Sequence, residues 1–433
     1  MDRGKARVVG PDRSQLRWDL IDIEGLLAGD HRARMVGAFV EGLNLEPLYE
    51  LIESREGEAG RPPADPAVVL ALWLYASLEG VGSARELARL CERDAAYRWL
   101  CGGVAVNHHG LADFRVAHGE FLDGLLSESI AAMVVEGLVD LDEVTVDGTK
   151  VKASAGKGSF AGENKIARVE RLAAERVARL RAEIEADPGA STRRRRAAEE
   201  RAADDIAERA QRARAALDRL KAEKAERAKR HAKEEAKKGE PKASLTDPDA
   251  RRMRFADGSV KAGYNVHLAA SATGMVVSVM ATDRRNDAGM AVPMVDDIKR
   301  RYGRVPKRLL VDTNYAPADD IVALASREGD GVLVYAPPPE ERADVKPETL
   351  KRRATERAKE APALKDWRQR MDTAQGQSIY RSRKRIELVN AHMKNRGFER
   401  LNLRGLLKAK IVALWHALAH NILVAHRLRL AKA

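Results

Sequence analysis

Three different spacings of apolar residues follow one another along the chain and predict three kinds of structure. Residues 1–140 carry apolar clusters at helical spacing, as in the run from Val68 to Leu78, and predict a domain made only of helices. Between residues 161 and 243, single apolar residues recur every three or four positions among Arg, Lys, Glu and Ala, which is typical of long helices with a narrow buried face. Short apolar runs typical of strands lie on both sides of this segment.

The middle segment predicts an antiparallel helical hairpin. One apolar seam runs through residues 166–184 and a second through 206–220, and Asp187-Pro188-Gly189 separates them with a helix-breaking sequence. The first arm, of about 24 residues, would be roughly 36 Å long. Acidic and basic residues are mixed throughout, which favours a solvated arm over one that grips DNA or forms a dimer.

The strand-like runs predict a sheet divided by this hairpin. They lie at 144–147, 263–270, 275–280, 308–312 and 331–335, and Asn286-Asp287 is expected to cap a helix that continues to Ile298. Asp147-Gly148 is expected to mark the end of the first strand, and Asp312 follows a later one. The predicted fold class is therefore mixed α+β and α/β. An all-helical domain (1–140) precedes a sheet domain in two parts (141–160 and 244–400), the hairpin (161–243) interrupts it, and a helical segment (401–433) follows.

Residues 66–101 suggest a helix, a glycine-bearing turn and further helices. Pro66 begins the apolar helix, Gly80 and Gly82 end it, and Ser83-Ala84-Arg85-Glu86 fits a capping box for the next one. Leu87 and Leu90 would form the buried side of that helix, whereas Arg85 and Arg89 lie elsewhere on its surface. This outline fits a helix-turn-helix DNA reader, with Arg85 and Arg89 as candidate DNA contacts, and it equally fits a plain helical bundle.

Composition narrows the class of partner. The chain has 433 residues, 44% of them hydrophobic, a net charge of +12 and a pI near 9.6. Such charge favours a polyanion such as nucleic acid, although ribosome-bound and membrane-surface proteins share it. Two cysteines, Cys91 and Cys101, without metal-binding spacing fit a reducing cytoplasm. The N-terminus lacks the apolar run of a signal peptide. The apolar segment 411–424 is interrupted by polar residues, so we expect a buried helix rather than a membrane span.

A helix predicted over residues 380–394 carries the candidate chemistry. At 100° per residue, Tyr380, Arg383, Glu387 and Lys394 share an arc of about 60°. The apolar residues Ile386, Val389 and Met393 fall on the opposite side. One face can thus pack on a core while the other presents a phenol, a carboxylate and two cations.

Three carboxylates are expected to converge at one end of the sheet. Asp147 and Asp312 each follow an apolar strand, and Glu387 faces back towards them. Oxygen ligands of this kind suit Mg²⁺, and two such ions about 3.5–4 Å apart can activate an attacking oxygen and stabilise the leaving oxygen of a phosphodiester. Each feature has a plainer reading, since aspartate is common at strand ends and Arg383 with Glu387 could be a surface ion pair. The combination favours the metal site.

The Tyr-x2-Arg-x3-Glu-x6-Lys spacing resembles the signature of DDE transposases encoded by bacterial insertion sequences. Further similar segments cover most of the chain: Gly60-Arg61-Pro62-Pro63, Arg98-Trp99-Leu100-Cys101-Gly102-Gly103, Val146-Asp147-Gly148-Thr149-Lys150, Asp247-Pro248-Asp249-Ala250-Arg251 and Gly263-Tyr264-Asn265-Val266. The chain departs from the pattern at Thr313-Asn314-Tyr315, where a small residue, glycine and tyrosine are expected. It departs again at His267, where glutamine is common. Neither departure removes a metal ligand.

The resemblance implies a ribonuclease H-like catalytic domain interrupted by the hairpin. It also implies that Asp147, Asp312 and Glu387 bind two Mg²⁺ ions, with Mn²⁺ as an alternative, and that Arg383 and Lys394 contact DNA phosphate while Tyr380 positions the DNA or the helix. The implied partners are double-stranded DNA, both transposon ends and target, and a second copy of the chain in a homodimer or higher synaptic assembly, in the bacterial cytoplasm. Two alternatives remain open: a catalytically inactive, transposase-derived DNA-binding protein, and a nuclease of the same fold without strand transfer.

Overall fold

A computed structural model describes residues 22–54, 62–186, 190–327, 329, 331–339 and 347–432. Gly60 and Arg61 of the Gly60–Pro63 motif, and the helix breaker Asp187-Pro188-Gly189, lie outside these residues. Most of the described chain is helical. The α-helices are α1 (Arg32–Glu41), α2 (Glu46–Tyr49), α3 (Pro66–Glu79), α4 (Ala84–Arg93), α5 (Ala95–Cys101), α6 (His108–Ala117), α7 (Gly119–Val135), α8 (Glu163–Ala186), α9 (Ala190–Ala236), α10 (Ala291–Tyr302), α11 (Ala318–Ala325), α12 (Pro347–Ala358), α13 (Pro362–Asp372), α14 (Ala374–Arg381), α15 (Lys384–Asn395) and α16 (Leu406–Lys432).

The strands form one mixed sheet and a separate short pair. They are β1 (Glu143–Lys152), β2 (Phe160–Ala161), β3 (Ala243–Ser244), β4 (Arg251–Arg254), β5 (Val260–Ser271), β6 (Val276–Thr282), β7 (Arg308–Leu310) and β8 (Leu333–Tyr335). In the large sheet β5 pairs antiparallel with β1 on one side and with β4 and β6 on the other, whereas β1, β7 and β8 run parallel. The predicted mixture of helix and sheet is confirmed.

The first strand is longer than the sequence predicts. Asp147-Gly148 was expected to end it, but pairing with β5 continues to Lys152, opposite Gly263. Asp147 therefore lies in the middle of β1, where its neighbours on both sides are held by strand pairing. An interior glycine usually weakens a strand, and its presence at 148 marks a close approach by another group.

The main core joins the sheet to the N-terminal helices. Helices α3 and α16 are buried along most of their length, and α16 contacts α3, α7 and β6. Asn421 on α16 closes the junction, because its side chain accepts from Val276 N and donates to Val276 O, both at 2.8 Å. The expectation of a buried helix over 411–424 is thus confirmed.

A buried ion network fastens the same junction. The Arg301 side chain of α10 is 0% exposed, and its guanidinium lies 2.6 Å from Asp297 of its own helix and 2.6 Å from Asp123 of α7. It also donates to the Asp123 carbonyl and to Ser127 Oγ. Lys410 of α16 lies 3.0 Å from Asp123. Three helices distant in sequence therefore meet on one set of charges.

Helices α8 and α9 lie where the two apolar seams predict helices, and they pack antiparallel. Arg181 near the end of α8 pairs with Glu200 early in α9, while Glu163 at the start of α8 pairs with Arg214 and Lys221 further along α9. The strands β2 and β3 pair across the base of the two helices, with Phe160 opposite Ser244. Both ends of the insert therefore leave the sheet domain side by side.

Within the described ranges, no single helix has both the length and the apolar composition that crossing a membrane requires. Helices α3 and α4 together reach that length and composition, but they meet at a bend of 100°.

Candidate active site

Asp147 lies on β1, and Asp312 lies two residues beyond the end of the neighbouring parallel strand β7. Thr145 of β1 pairs with Leu310, the last residue of β7, and each aspartate follows its member of that pair by two positions. The two carboxylates are close enough for the charge of Asp312 to help raise the pKa of Asp147. Asp312 is exposed, whereas the Asp147 side chain is only 19% exposed.

Glu387 joins this pair through Arg383. The Arg383 guanidinium lies 3.3 Å from Asp147 Oδ1 and 2.8 Å from Glu387 Oε1, so one cation sits between the two carboxylates. The Glu387 side chain is 57% exposed. Burial lowers the pKa of Arg383, but the adjacent carboxylates, Asp147 first among them, leave it above its usual value.

The single helix predicted over 380–394 is wrong, because the chain forms two helices that meet at Ser382-Arg383. Ser382 N and Arg383 N donate to carbonyls three residues earlier, and Ser382 Oγ donates to Ile379 O and to Glu143. A serine hydroxyl that binds the backbone in this way competes with the helical hydrogen-bond pattern. Both residues keep right-handed helical backbone angles, so the predicted faces survive: Ile386, Val389 and Met393 are buried.

Asp147 occupies a crowded anionic environment. Burial raises its pKa to about 6; the Arg383 guanidinium opposes this rise, and the carboxylates of Asp287 and Asp312 add to it. Asn390 of α15 donates from Nδ2 to Asp147 Oδ2 at 2.9 Å. Asp147 thus sits in a place that favours removal of its negative charge, by a proton or by a neighbouring cation.

Asp287 is a member of this site that the sequence did not reveal. It was expected to cap a helix, but α10 begins at Ala291, and the Asp287 carboxylate instead accepts from Asn265 Nδ2 at 2.6 Å. A side-chain carbon at Gly148 would overlap this carboxylate, which explains the glycine inside β1. Behind Asn265, buried His267 pairs with the Tyr315 hydroxyl at 2.9 Å. The sign of Asp287 that the sequence offered was Gly148, because a glycine within a strand pattern indicates the close approach of another group.

Replacement of Asp287 by asparagine should lower the pKa of Asp147 below about 6, because it removes a nearby negative charge and can keep the acceptor for Asn265. The measurement is a carbon-13 NMR titration of the Asp147 carboxyl group in metal-free protein. Asp296→Asn is the matched control, since Asp296 lies on α10 and pairs with Arg327, and its replacement should not shift the pKa of Asp147. An unchanged or higher pKa in Asp287→Asn would contradict the electrostatic role of Asp287.

The other predicted residues are placed as follows. Tyr380 is half-buried beside Arg383, and burial raises its pKa, so the phenol is protonated at neutral pH. Lys394 is half-buried at the end of α15. Arg85 and Arg89 are exposed on α4, and among the described residues no contact joins them to the carboxylates. Asn314, which stands where the family pattern has glycine, does not have the left-handed backbone that favours glycine, since no non-glycine residue described has a positive φ.

The donor set fits a hard divalent cation in its chemistry. All the acidic side chains offer oxygen, and two buried amide oxygens at the site, Asn265 Oδ1 and Asn390 Oδ1, have no partner among the described residues. The arrangement is not a closed metal cage: over the described ranges, no three His, Cys, Asp or Glu side chains are close enough to hold an ion. Arg383 lies between two of the carboxylates instead.

Comparison with known families agrees with the resemblance seen in the sequence. Residues 238–422 match the family described as "Transposase DDE domain", and residues 21–117 match "Transposase domain (DUF772)". The first match contains Asp312 and Glu387 but begins after Asp147, which the helical insert separates from the rest of the sheet. No curated protein and no solved structure matches the chain. The two matches are both to transposase domains, and together they span more than half of the residues. The chain therefore belongs to the DDE transposases of insertion sequences.

Proposed function

We propose that this transposase binds the terminal inverted repeats of its element, hydrolyses a phosphodiester at each end, and joins the freed 3′-hydroxyl to target DNA. Asp147, Asp312 and Glu387 act as its catalytic carboxylates in a ribonuclease H-like domain, divided by the insert at 161–243. The observation that supports the proposal is the position of the Arg383 guanidinium between Asp147 of β1 and Glu387 of α15, near enough to Asp312 for that carboxylate also to raise its pKa.

The three carboxylates would hold Mg²⁺, or Mn²⁺ in its place, as two ions. When bound, such ions supply Lewis-acid stabilisation and a nucleophilic oxygen at neutral pH. The protein's own contribution is to hold Asp147 rigidly within β1, with Asn390 fixing one of its oxygens. The pKa of Asp147 near 6 supports this role, because a divalent cation relieves the anionic crowding that raises it.

Arg383, Lys394 and Tyr380 would face the DNA phosphate next to the cleaved bond. Arg383 already bridges two carboxylates, so phosphate binding requires its guanidinium to exchange one anionic partner for another. Arginine can bind two phosphate oxygens at once, whereas lysine acts as a point charge. The phenol of Tyr380, protonated at neutral pH, can donate to the same group.

Helix α4 is the proposed DNA-reading element of the N-terminal domain. It follows α3 after the turn Gly80–Ser83 at a bend of 100°, which is within the range of helix-turn-helix units. Ser83 caps α4 through Glu86 N, but the Glu86 carboxylate pairs with Arg89 at 3.2 Å rather than returning to Ser83. Arg85 and Arg89 point to solvent and would contact DNA once this surface pair opens. A homodimer or larger assembly, acting in the bacterial cytoplasm, would bring two element ends together.

A cleavage assay on DNA that carries the sequences flanking this gene tests the proposal. The wild type should nick the element ends only with Mg²⁺ or Mn²⁺, and Glu387→Gln should lose this activity by about a thousandfold or more while binding the same DNA. Joined product would establish strand transfer and exclude a simple nuclease. Specific binding without cleavage under all metal conditions would overturn the proposal in favour of an inactive DNA-binding protein.

A further inference from the structure

A cavity lined by cations lies at the far end of β1 from the carboxylates. Its volume is about 460 Å³. Four basic side chains line it, together with two hydroxyl residues: Lys152, Lys157, Lys261, Arg400, Ser154 and Thr246. No acidic residue is part of its lining.

Backbone pairing from three parts of the chain fixes the cavity wall. Lys152 N donates to Glu399 O at 2.9 Å, and Leu401 N donates to Lys152 O at 2.8 Å, so Arg400 is held beside the end of β1. On the other side, Leu245 N donates to Ser159 O at 2.9 Å. This bond, with the β2–β3 pair, places Thr246 near the turn that carries Lys157. Backbone hydrogen bonds between these segments, and not only flexible side chains, therefore bring the cations together.

Most of the cations that line this cavity lack a carboxylate partner within the described residues, unlike those of a second basic cavity at the other end of β1. Lys261 pairs with Asp257 at 2.5 Å, but Lys152, Lys157 and Arg400 have no carboxylate partner within the described part of the chain. A second cavity of about 540 Å³, near Gly303, also has a basic lining, yet its Lys307 pairs with Asp142 and its Arg327 with Asp296. Three converging, unpaired cations favour an anionic ligand.

We infer that this cavity binds the phosphate backbone of DNA, outside the cleavage site. The inference rests on the proposed function, which brings DNA to the carboxylates of the same sheet. Lys152 follows Asp147 by five residues of strand, or about 16 Å at 3.3 Å per residue. Because side chains alternate along a strand, this odd count puts Lys152 and Asp147 on opposite faces of β1, and DNA that reaches both must pass around the end of the strand. Duplex DNA has one phosphate per strand for every 3.4 Å of helix axis, so the cavity corresponds to a phosphate at least about five base pairs from the cleaved bond. It gives the transposon end a second anchor that fixes its direction across the sheet.

The test is the salt dependence of binding to a labelled duplex that carries the flanking end sequence. Lys152→Ser, Lys157→Ser and Arg400→Ser combined should reduce the slope of log K against log salt by about 2 to 3, because each lost phosphate contact lowers it by about 0.9. Phosphate ethylation interference should, in the wild type, identify a phosphate at least about five base pairs from the cleaved bond. That interference should disappear in the triple variant.

Lys307→Ser is the matched control, since it removes a lysine from the other basic cavity and should change the slope by less than about 0.5. Circular dichroism melting of the triple variant checks that it folds. An unchanged slope in a folded triple variant, with the wild type still binding, overturns the inference and leaves the proposed function intact. Absence of salt-dependent DNA binding by the wild type overturns both.

Discussion

Replacement of Asp147 by asparagine should abolish strand cleavage, by at least about a thousandfold, and yet stabilise the metal-free protein at pH 7 by up to about 3 kcal/mol. The loss follows from removing a proposed metal ligand. The gain follows from its pKa of about 6 in the fold, compared with an ordinary value of 3.8. Catalytic groups commonly lower the free energy of unfolding of the protein that holds them.

The sign of the pH dependence follows from proton binding. Between about pH 4 and pH 6 the folded protein keeps a proton on Asp147 that the unfolded chain has lost, so this group's contribution to stability falls as pH rises through that window. Above pH 6 both states are ionised and the full cost is present. The stabilisation by Asp147→Asn should therefore be largest at pH 7 and vanish below about pH 4. Urea unfolding of both proteins in chelator at several pH values measures it.

Asp312→Asn provides the comparison for this experiment. Asp312 is exposed, so its replacement should remove cleavage without a comparable gain in the free energy of unfolding. If Asp147→Asn proves neutral or destabilising at pH 7 in chelator, the anionic crowding around Asp147 is not a source of instability. If it cleaves DNA normally, Asp147 is not a catalytic carboxylate.

Arg301→Leu should lower the free energy of unfolding by about 3–5 kcal/mol, because it leaves the Asp123 and Asp297 carboxylates partly buried without their cation. These carboxylates are desolvated, yet their pKa values lie below the usual one because Arg301 and other cations surround them. Without Arg301 those pKa values should rise, so the variant should lose less stability at acidic pH than at pH 7. Urea unfolding at the two pH values tests both statements.

Arg429→Leu is the control, since Arg429 forms an exposed pair with Glu136 and should change stability by less than about 1 kcal/mol. A rescue variant combines Arg301→Leu with Asp123→Asn and Asp297→Asn. It should recover part of the loss, because the uncompensated charges are gone. A loss of less than 1 kcal/mol in Arg301→Leu would mean that water or neighbouring cations replace the guanidinium.

The sequence predicted those elements in which the spacing of the apolar residues follows directly from which side is buried. The apolar runs of β5, β6 and α16 and the seams of α8 and α9 face a core, so spacing alone locates them, although Ile206 at the start of the second seam is exposed. Strand β4 was missed because it reads Arg-Arg-Met-Arg. Arg251 is buried there only through its pairs with Glu223 and Asp283, which lie far away in sequence. Such long-range pairing leaves no local pattern.

The sequence indicated the three candidate carboxylates and Arg383, but it revealed neither Asp287 nor the arrangement of these residues. The spacing of Arg383 and Glu387 placed both on one face, and their 2.8 Å contact agrees with that. The contact of Arg383 with Asp147 and that of Asp287 with Gly148 both depend on which residues of distant segments lie side by side, and the local sequence does not show this. Gly148 suggested a turn because Asp-Gly is common in turns. The position of the Asp287 carboxylate shows instead that a glycine is needed there to leave room for it.

The β2–β3 pair at the base of the helical insert also has a consequence for folding. Strand β1 must find β5, although about a hundred residues separate Lys152 from Val260 in the sequence. If α8 and α9 close on each other first, Phe160 and Ser244 come together and the remaining loop shrinks to roughly a quarter of that length. Each halving of a loop saves about 0.6 kcal/mol of closure entropy, so the pair should lower the cost of joining β1 to β5 by about 1 kcal/mol. We therefore expect the insert to form early and to guide the assembly of the sheet.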